Sequence, residues 1–213
     1  MMKFVKWEAS LKSLNYTILE PCDVPVQLRV MDEPGDRATI LANAQGYRFL
    51  KDLFLIVGAM KQANCLFVVR DASPQVERFQ SWYPGGAFHK GLILSHHGHA
   101  AVTGKIAREV LATRKFARQT HETLQVPACD FQRIPHWGLE NTLHVHPHGK
   151  WLLLASNYEG YLYMAREADG FLDIPDDPDE NFSHAHLFHL THMEDRLDMR
   201  YFYQEIPDET KPL

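Results

Sequence analysis

The chain has 213 residues, 45% of them apolar, and a formal net charge of −5. A chain of this length buries about 70% of its unfolded surface without needing a disulfide or metal staple. Its mild acidity argues against general nucleic-acid binding, which calls for a basic footprint.

Three cysteines, Cys22, Cys65 and Cys129, form no C-x-x-C pair and are odd in number. That pattern speaks against a disulfide framework and for a reducing, cytoplasmic home. The first ten residues carry Lys3, Lys6 and Glu8 and no apolar stretch, so no signal peptide is expected. The longest apolar run, residues 53–60, falls well short of the roughly 20 residues that span a bilayer.

Short strands are expected over residues 3–8, 16–20, 26–31 and 38–42. Pro21, Pro25 and the Glu33-Pro34-Gly35-Asp36 cluster punctuate them. Residues 47–60 then show helical spacing, with Leu50, Phe54 and Val57 one turn apart and Leu53 and Met60 beside them. A strand follows at 66–69. A short helix is expected over 74–82, with Ser73 as N-cap and Pro74 at its first position. Another strand is expected at 90–95, and a long helix over 103–125, stopped before Pro127.

The last third reads as an antiparallel meander. Runs at 143–146, 151–156 and 161–166 alternate between turns, and 185–192 with 197–204 resemble a further hairpin. The fold class is therefore α+β: a single globular domain over 1–213, N-terminal strands and helices followed by a C-terminal antiparallel sheet. A soft lobe boundary is expected near 126–138, with no flexible linker.

Thirteen histidines stand out, and ten fall into three groups. His96, His97 and His99 follow an expected strand and precede an expected helix, where α/β proteins place ligand sites. His144 and His146 share one face of a strand and can chelate one ion as neutral imidazoles, with His148 just beyond. His184, His186, His189 and His192 form the third group. Histidine is also an ordinary residue of turns and strand ends, where both ring nitrogens hydrogen-bond, so each group has a purely structural explanation too.

Other chemistry is thinly marked. There is no G-x-S-x-G elbow and no phosphate-binding glycine loop. Ser95 beside His96 and His97 does not make a catalytic pair, because adjacent side chains diverge. Cys129 lacks a cysteine-protease surround. Lys105, Arg108 and Lys115 share one arc of the expected long helix, an ordinary solvated face or a site for phosphate.

Residues 169–180 are acidic and contain no base. Asp169, Asp173, Asp176, Asp177, Asp179 and Glu180 are interleaved with Phe171, Leu172 and Ile174. Pro175 and Pro178 keep the segment out of regular structure. The EF-hand spacing is absent. An acidic arm with apolar anchors suits a basic macromolecular partner.

Two functions follow as expectations. The first is a non-enzymatic inhibitor of immunity-protein type. It would need no cofactor and would neutralise one basic protein partner, such as a toxin, through Asp169, Phe171, Asp173, Asp176, Asp177, Asp179 and Glu180. The alternative is a metal-dependent hydrolase. Zinc or another divalent transition metal would be held by His97, His99, His144 and His146, with Asp130 or Glu140 as a nearby carboxylate.

Overall fold

Two strands open the chain, β1 (Met2–Leu11) and β2 (Leu14–Pro21), joined by Lys12 and Ser13. Both linking residues are left-handed, with φ of 50° and 66°. Two consecutive positive-φ residues match the twist of the strands they join, so the hairpin closes tightly without an Asn-Gly pair. The computed structural model describes residues 1–25, 28–33, 37–70, 87–97, 102–114, 117–134, 139, 142–173, 184–187, 190 and 196–201.

The remaining strands, numbered in chain order, are β3 (Arg29–Glu33), β4 (Arg37–Ala42), β5 (Cys65–Arg70), β6 (Ala87–Phe88), β7 (Gly91–His96), β8 (Gln119–Leu124), β9 (Leu143–His148), β10 (Trp151–Ser156), β11 (His184–His186) and β12 (Arg196–Tyr201). Among the described residues three helices accompany them: α1 (Ala44–Ala59), α2 (Gly104–Thr113) and α3 (Tyr158–Gly170).

The strands form a seven-stranded sheet, ordered β8-β1-β2-β5-β7-β10-β9, and a five-stranded sheet, ordered β11-β12-β4-β3-β6. The large sheet is mixed. β2 and β5 run parallel, β5 and β7 antiparallel, β7 and β10 parallel, and β10 and β9 antiparallel. The protein is one α+β domain. Among the described residues no helix is long and apolar enough to cross a membrane.

One core takes in a face of each sheet together with α1 and α3. Phe4, Phe67, Leu92, Leu154 and Val145 come from the large sheet, and Ile40 and Met199 from the small one. Helix α1 is buried on most sides, from Tyr47 through Leu50 and Phe54 to Val57, which explains its nearly all-apolar sequence. The Asn43 side chain starts it by accepting from the Gly46 N–H. Residues 126–134 pack against this core through Val126, Cys129, Phe131 and Ile134.

The other face of the large sheet meets α2 through Ala107 and Val110, which pack with Ile18, Leu66, Val68, Ile93 and Leu153. Glu20 ties down the far end of α2. Its carboxylate accepts from Arg70 at 2.5 Å and from Arg114 at 2.6 Å. Arg114 also lies over the Trp7 ring and Arg70 over the Trp151 ring.

The element expectations need three corrections. Residues 161–166 are not a strand but the middle of α3. Asn157 accepts from the Gly160 N–H at 2.8 Å as an N-cap, and Tyr161, Met164, Ala165 and Ala168 line one buried face. The helix expected over 103–125 ends at Thr113, and Gln119–Leu124 instead pairs antiparallel with β1 as the edge strand β8.

The C-terminal strands also form no continuous meander. β9 and β10 pair with each other, but β10 joins β7 in parallel, and β11 and β12 belong to the other sheet. The helix expected over 74–82 lies outside the described residues.

Candidate histidine site

The site sits at the carboxyl ends of the parallel pair β7 and β10, on the α2 side of the large sheet. Alternation along each strand fixes which side chains share that face. Leu92 and Leu94 of β7 face the main core, so Ile93 and Ser95 face the other way. Leu152 and Leu154 of β10 face the main core, which leaves Leu153 and Ala155 on the α2 side. Leu143 and Val145 of β9 are main-core residues, so His144, His146 and His148 line the α2 face of this edge strand.

Cross-strand register then aligns Ser95 with Ala155, and Ala155 with His144. His97 follows β7 directly, and its backbone N–H donates to the Ser156 carbonyl at 3.0 Å. This register unites two histidine groups. The ring centres of His97 and His144 stand 5.5 Å apart, edge to face. His144 and His146 stack nearly parallel, 9° between their planes, with centres 6.4 Å apart.

Two imidazoles sharing a tetrahedral ion with N–metal bonds of about 2.1 Å have ring centres roughly 5 Å apart. The His97–His144 pair is close to that spacing, and the His146 ring, 6.4 Å from that of His144, stands farther off. As the side chains stand, no group of three or more His, Cys, Asp or Glu residues among the described residues is gathered tightly enough to hold an ion.

The electrostatics favour the neutral form of the His97 ring. Partial burial and the neighbouring His144 lower its pKa below the usual value of 6.5, against opposing hydrogen bonds led by the Thr142 backbone carbonyl. A ring N–H given to a backbone carbonyl fixes the tautomer and leaves the other nitrogen's lone pair free, the arrangement that orients metal-ligating histidines. The same Thr142 carbonyl accepts from Ser156 Oγ at 2.7 Å. The site's edge is therefore tied to the end of β10.

Helix α2 starts beside the far end of the histidine row. A Cβ on Gly104 would lie 2.6 Å from Cγ and Nδ1 of His148, so only glycine lets the helix approach that ring. Lys105 and Arg108 are exposed on α2, and Lys115 lies outside the described residues.

Other expected site residues fall elsewhere. His99 and Glu140 lie outside the described residues, as do the side chains of the third histidine group. Asp130 is engaged locally, capping a 3-10 turn by accepting from the Gln132 N–H at 3.2 Å and pairing with Arg133 at 3.0 Å.

Of the partner-binding set, Asp169 pairs with Lys51 of α1 at 3.0 Å. Phe171, expected as an exposed anchor, is 4% exposed and stacks on Tyr47 with ring centres 4.3 Å apart. The expectation is corrected there: the ring closes the α1–α3 interface rather than facing a partner. The Asp173 side chain and Asp176, Asp177, Asp179 and Glu180 lie outside the described residues.

The sequence did not signal three further features. Ser95 is fully buried on the histidine side of β7. Ala155 forms the floor between Ser95 and His144. His89, 5% exposed, places Nε2 2.9 Å from an Asp32 oxygen across β6 and β3. No protein-family model, curated protein or solved structure matches this chain.

Proposed function

We propose that this protein binds a divalent transition-metal ion, zinc or a near neighbour, through His97, His144 and His146, and acts as a metal-dependent hydrolase. The observation that carries the reading is the meeting of His97, at the end of β7, with His144 of β9 over the intervening β10, 5.5 Å ring to ring.

Three neutral imidazoles suit such an ion and leave a position open for water. Bound there, the ion would act as a Lewis acid and bring the pKa of that water to near 7. His97 keeps its lone pair available through its depressed pKa. His144 and His146 are exposed on an edge strand, so their rings turn to an ion without disturbing the core. The carboxyl end of parallel strands is a common place for ligands in sheets with crossover connections.

The inhibitor reading rests on the acidic segment 169–180. Of its expected partner-binding residues, the two with described side chains are Asp169, which pairs with Lys51 of α1, and Phe171, which is buried against Tyr47.

The test is metal content after purification without a histidine tag. One equivalent of metal is expected. At a free zinc concentration about 100 times Kd, the stabilisation is about 2.7 kcal/mol, or roughly 5–10 °C in Tm. Protein that carries no metal, with a Tm unmoved by zinc, nickel or manganese, refutes the proposal.

A further inference from the structure

The edge strand β8 has an open outer side. Gln119, Thr120, His121 and Thr123 are exposed, and among the described residues β1 is its only partner strand. The opposite edge of the same sheet is closed. There β9 carries Pro147, which has no N–H to offer, and the Leu143 N–H donates to the Leu190 carbonyl at 2.9 Å. β8 contains no proline and no lysine, the residues that ordinarily blunt an exposed edge. Its two threonines favour strand pairing.

Register decides which backbone groups of β8 are free. Antiparallel neighbours alternate between residues that exchange both backbone hydrogen bonds and residues that exchange neither. The Cys22 N–H donates to the Lys3 carbonyl at 2.9 Å, so odd-numbered residues of β1 bond towards β2 and even-numbered ones towards β8. Phe4 and Lys6 therefore bond their partners in register, Glu122 and Thr120. Gln119, His121 and Thr123 are left with N–H and C=O groups directed away from the sheet.

A second copy of the chain complements this edge. A two-fold axis perpendicular to a sheet keeps every side chain on its own face, so residues opposed across it differ by an even number of positions. Free backbone groups must also meet free backbone groups. Centring the axis on Thr120 satisfies both conditions. Gln119 of each copy then exchanges both backbone bonds with His121 of the other, Thr120 meets Thr120, and Glu122 meets the exposed Arg118. Glu122 already takes Lys6 at 3.3 Å, and a carboxylate has acceptor sites for a second cation. Centring the axis on His121 would set imidazole against imidazole and Arg118 against Leu124. Centring it on Glu122 would oppose two carboxylates, which is destabilising.

We propose that two copies of this chain pair antiparallel through β8, about a two-fold axis at Thr120, and join their seven-stranded sheets into one. Backbone bonds from Gln119 and His121 hold the pair together, and the Arg118–Glu122 contacts on either side of the axis fix its register.

Sedimentation velocity of the full chain in EDTA, at concentrations up to about 100 μM, tests this pairing. EDTA removes any shared metal ion, so the outcome is independent of the histidine site. Wild type is expected as a dimer. Arg118→Glu and Glu122→Arg, each setting like charges against each other, are each expected to raise the dimer Kd by at least about tenfold. The double variant Arg118→Glu/Glu122→Arg exchanges the two charges and is expected to return to within about threefold of wild type. His121→Pro removes an outward N–H without touching a bond to β1, and is expected to give a folded monomer by circular dichroism.

A wild-type monomer throughout that range refutes the pairing. A dimer that Arg118→Glu leaves intact refutes it too, as does a folded double variant that fails to regain association. Should His121→Pro not fold, the charge exchange decides alone.

Discussion

His97 and His144 are 47 positions apart in the chain, yet their rings meet edge to face 5.5 Å apart. In the proposed three-histidine site each ring is one ligand of the same ion. His97→Ala and His144→Ala should therefore each weaken zinc binding by at least about 100-fold, and the double variant should be little worse than either single one, since residues acting as a unit are not additive. Isothermal titration with zinc measures this. Full additivity of the two losses would mean that the rings serve separate ions.

The site should also respond to acid. Partial desolvation, with His144 beside it, holds the His97 ring below its usual pKa of 6.5. The unfolded chain then takes up a proton near that pH, which the folded ring accepts only at lower pH. Its contribution is thus absent in alkali, and stability falls as pH drops through 6.5, levelling once the folded ring is protonated too. Urea titrations from about pH 8 to about pH 5 should show a shallower decline for His97→Gln than for wild type. Zinc affinity should fall over the same range, because protons compete for the same nitrogen.

Phe171 discriminates between an interior ring and a recognition ring. It stacks on Tyr47 at 4.3 Å with little exposure. Phe171→Ala should lower stability by roughly 3–5 kcal/mol, as for other buried aromatic truncations, and leave zinc affinity unchanged. Chemical denaturation reads the first quantity and calorimetry the second. A loss under about 1 kcal/mol would show that the ring contributes little to the α1–α3 interface.

Gly91 begins β7 with φ of 143°, and a Cβ there would run into the Val69 carbonyl oxygen of the neighbouring strand. Gly91→Ala must therefore shift β7 against β5. Because β7 carries Ser95 and leads into His97, a loss of about 3 kcal/mol or more in stability should come with weakened metal binding. Circular dichroism melting together with zinc titration tests the pair of effects.

Local signals in the sequence show more of the fold than of the site. The buried helix near residue 50 and the strand at 151–156 carry their own periodicity, and the structure has α1 and β10 there. Tyr161, Leu162 and Tyr163 imitate a strand, and the Asn157 cap that makes the segment a helix reads equally well as a turn. Residues 119–124 continue a helical spacing, and only long-range pairing with β1 makes them a strand.

The histidine row on β9 was visible as an H-x-H pattern. Its meeting with His97 depends on the parallel register of β7 with β10, which no local spacing encodes. Ser95 and Ala155 gain meaning only from that register.

Tyr161 lies under the same strands, on the side away from the histidines. Its hydroxyl is shared between the carbonyls of Ser95 at 2.8 Å and Leu154 at 3.1 Å, and burial drives its pKa far above the usual phenol range. A neutral, permanently protonated phenol thus rivets β7 to β10 from beneath. The gap that the imidazoles must bridge above is gauged by a residue that never touches them, so a Tyr161→Phe exchange deep in the helix layer would retune the distance between His97 and His144.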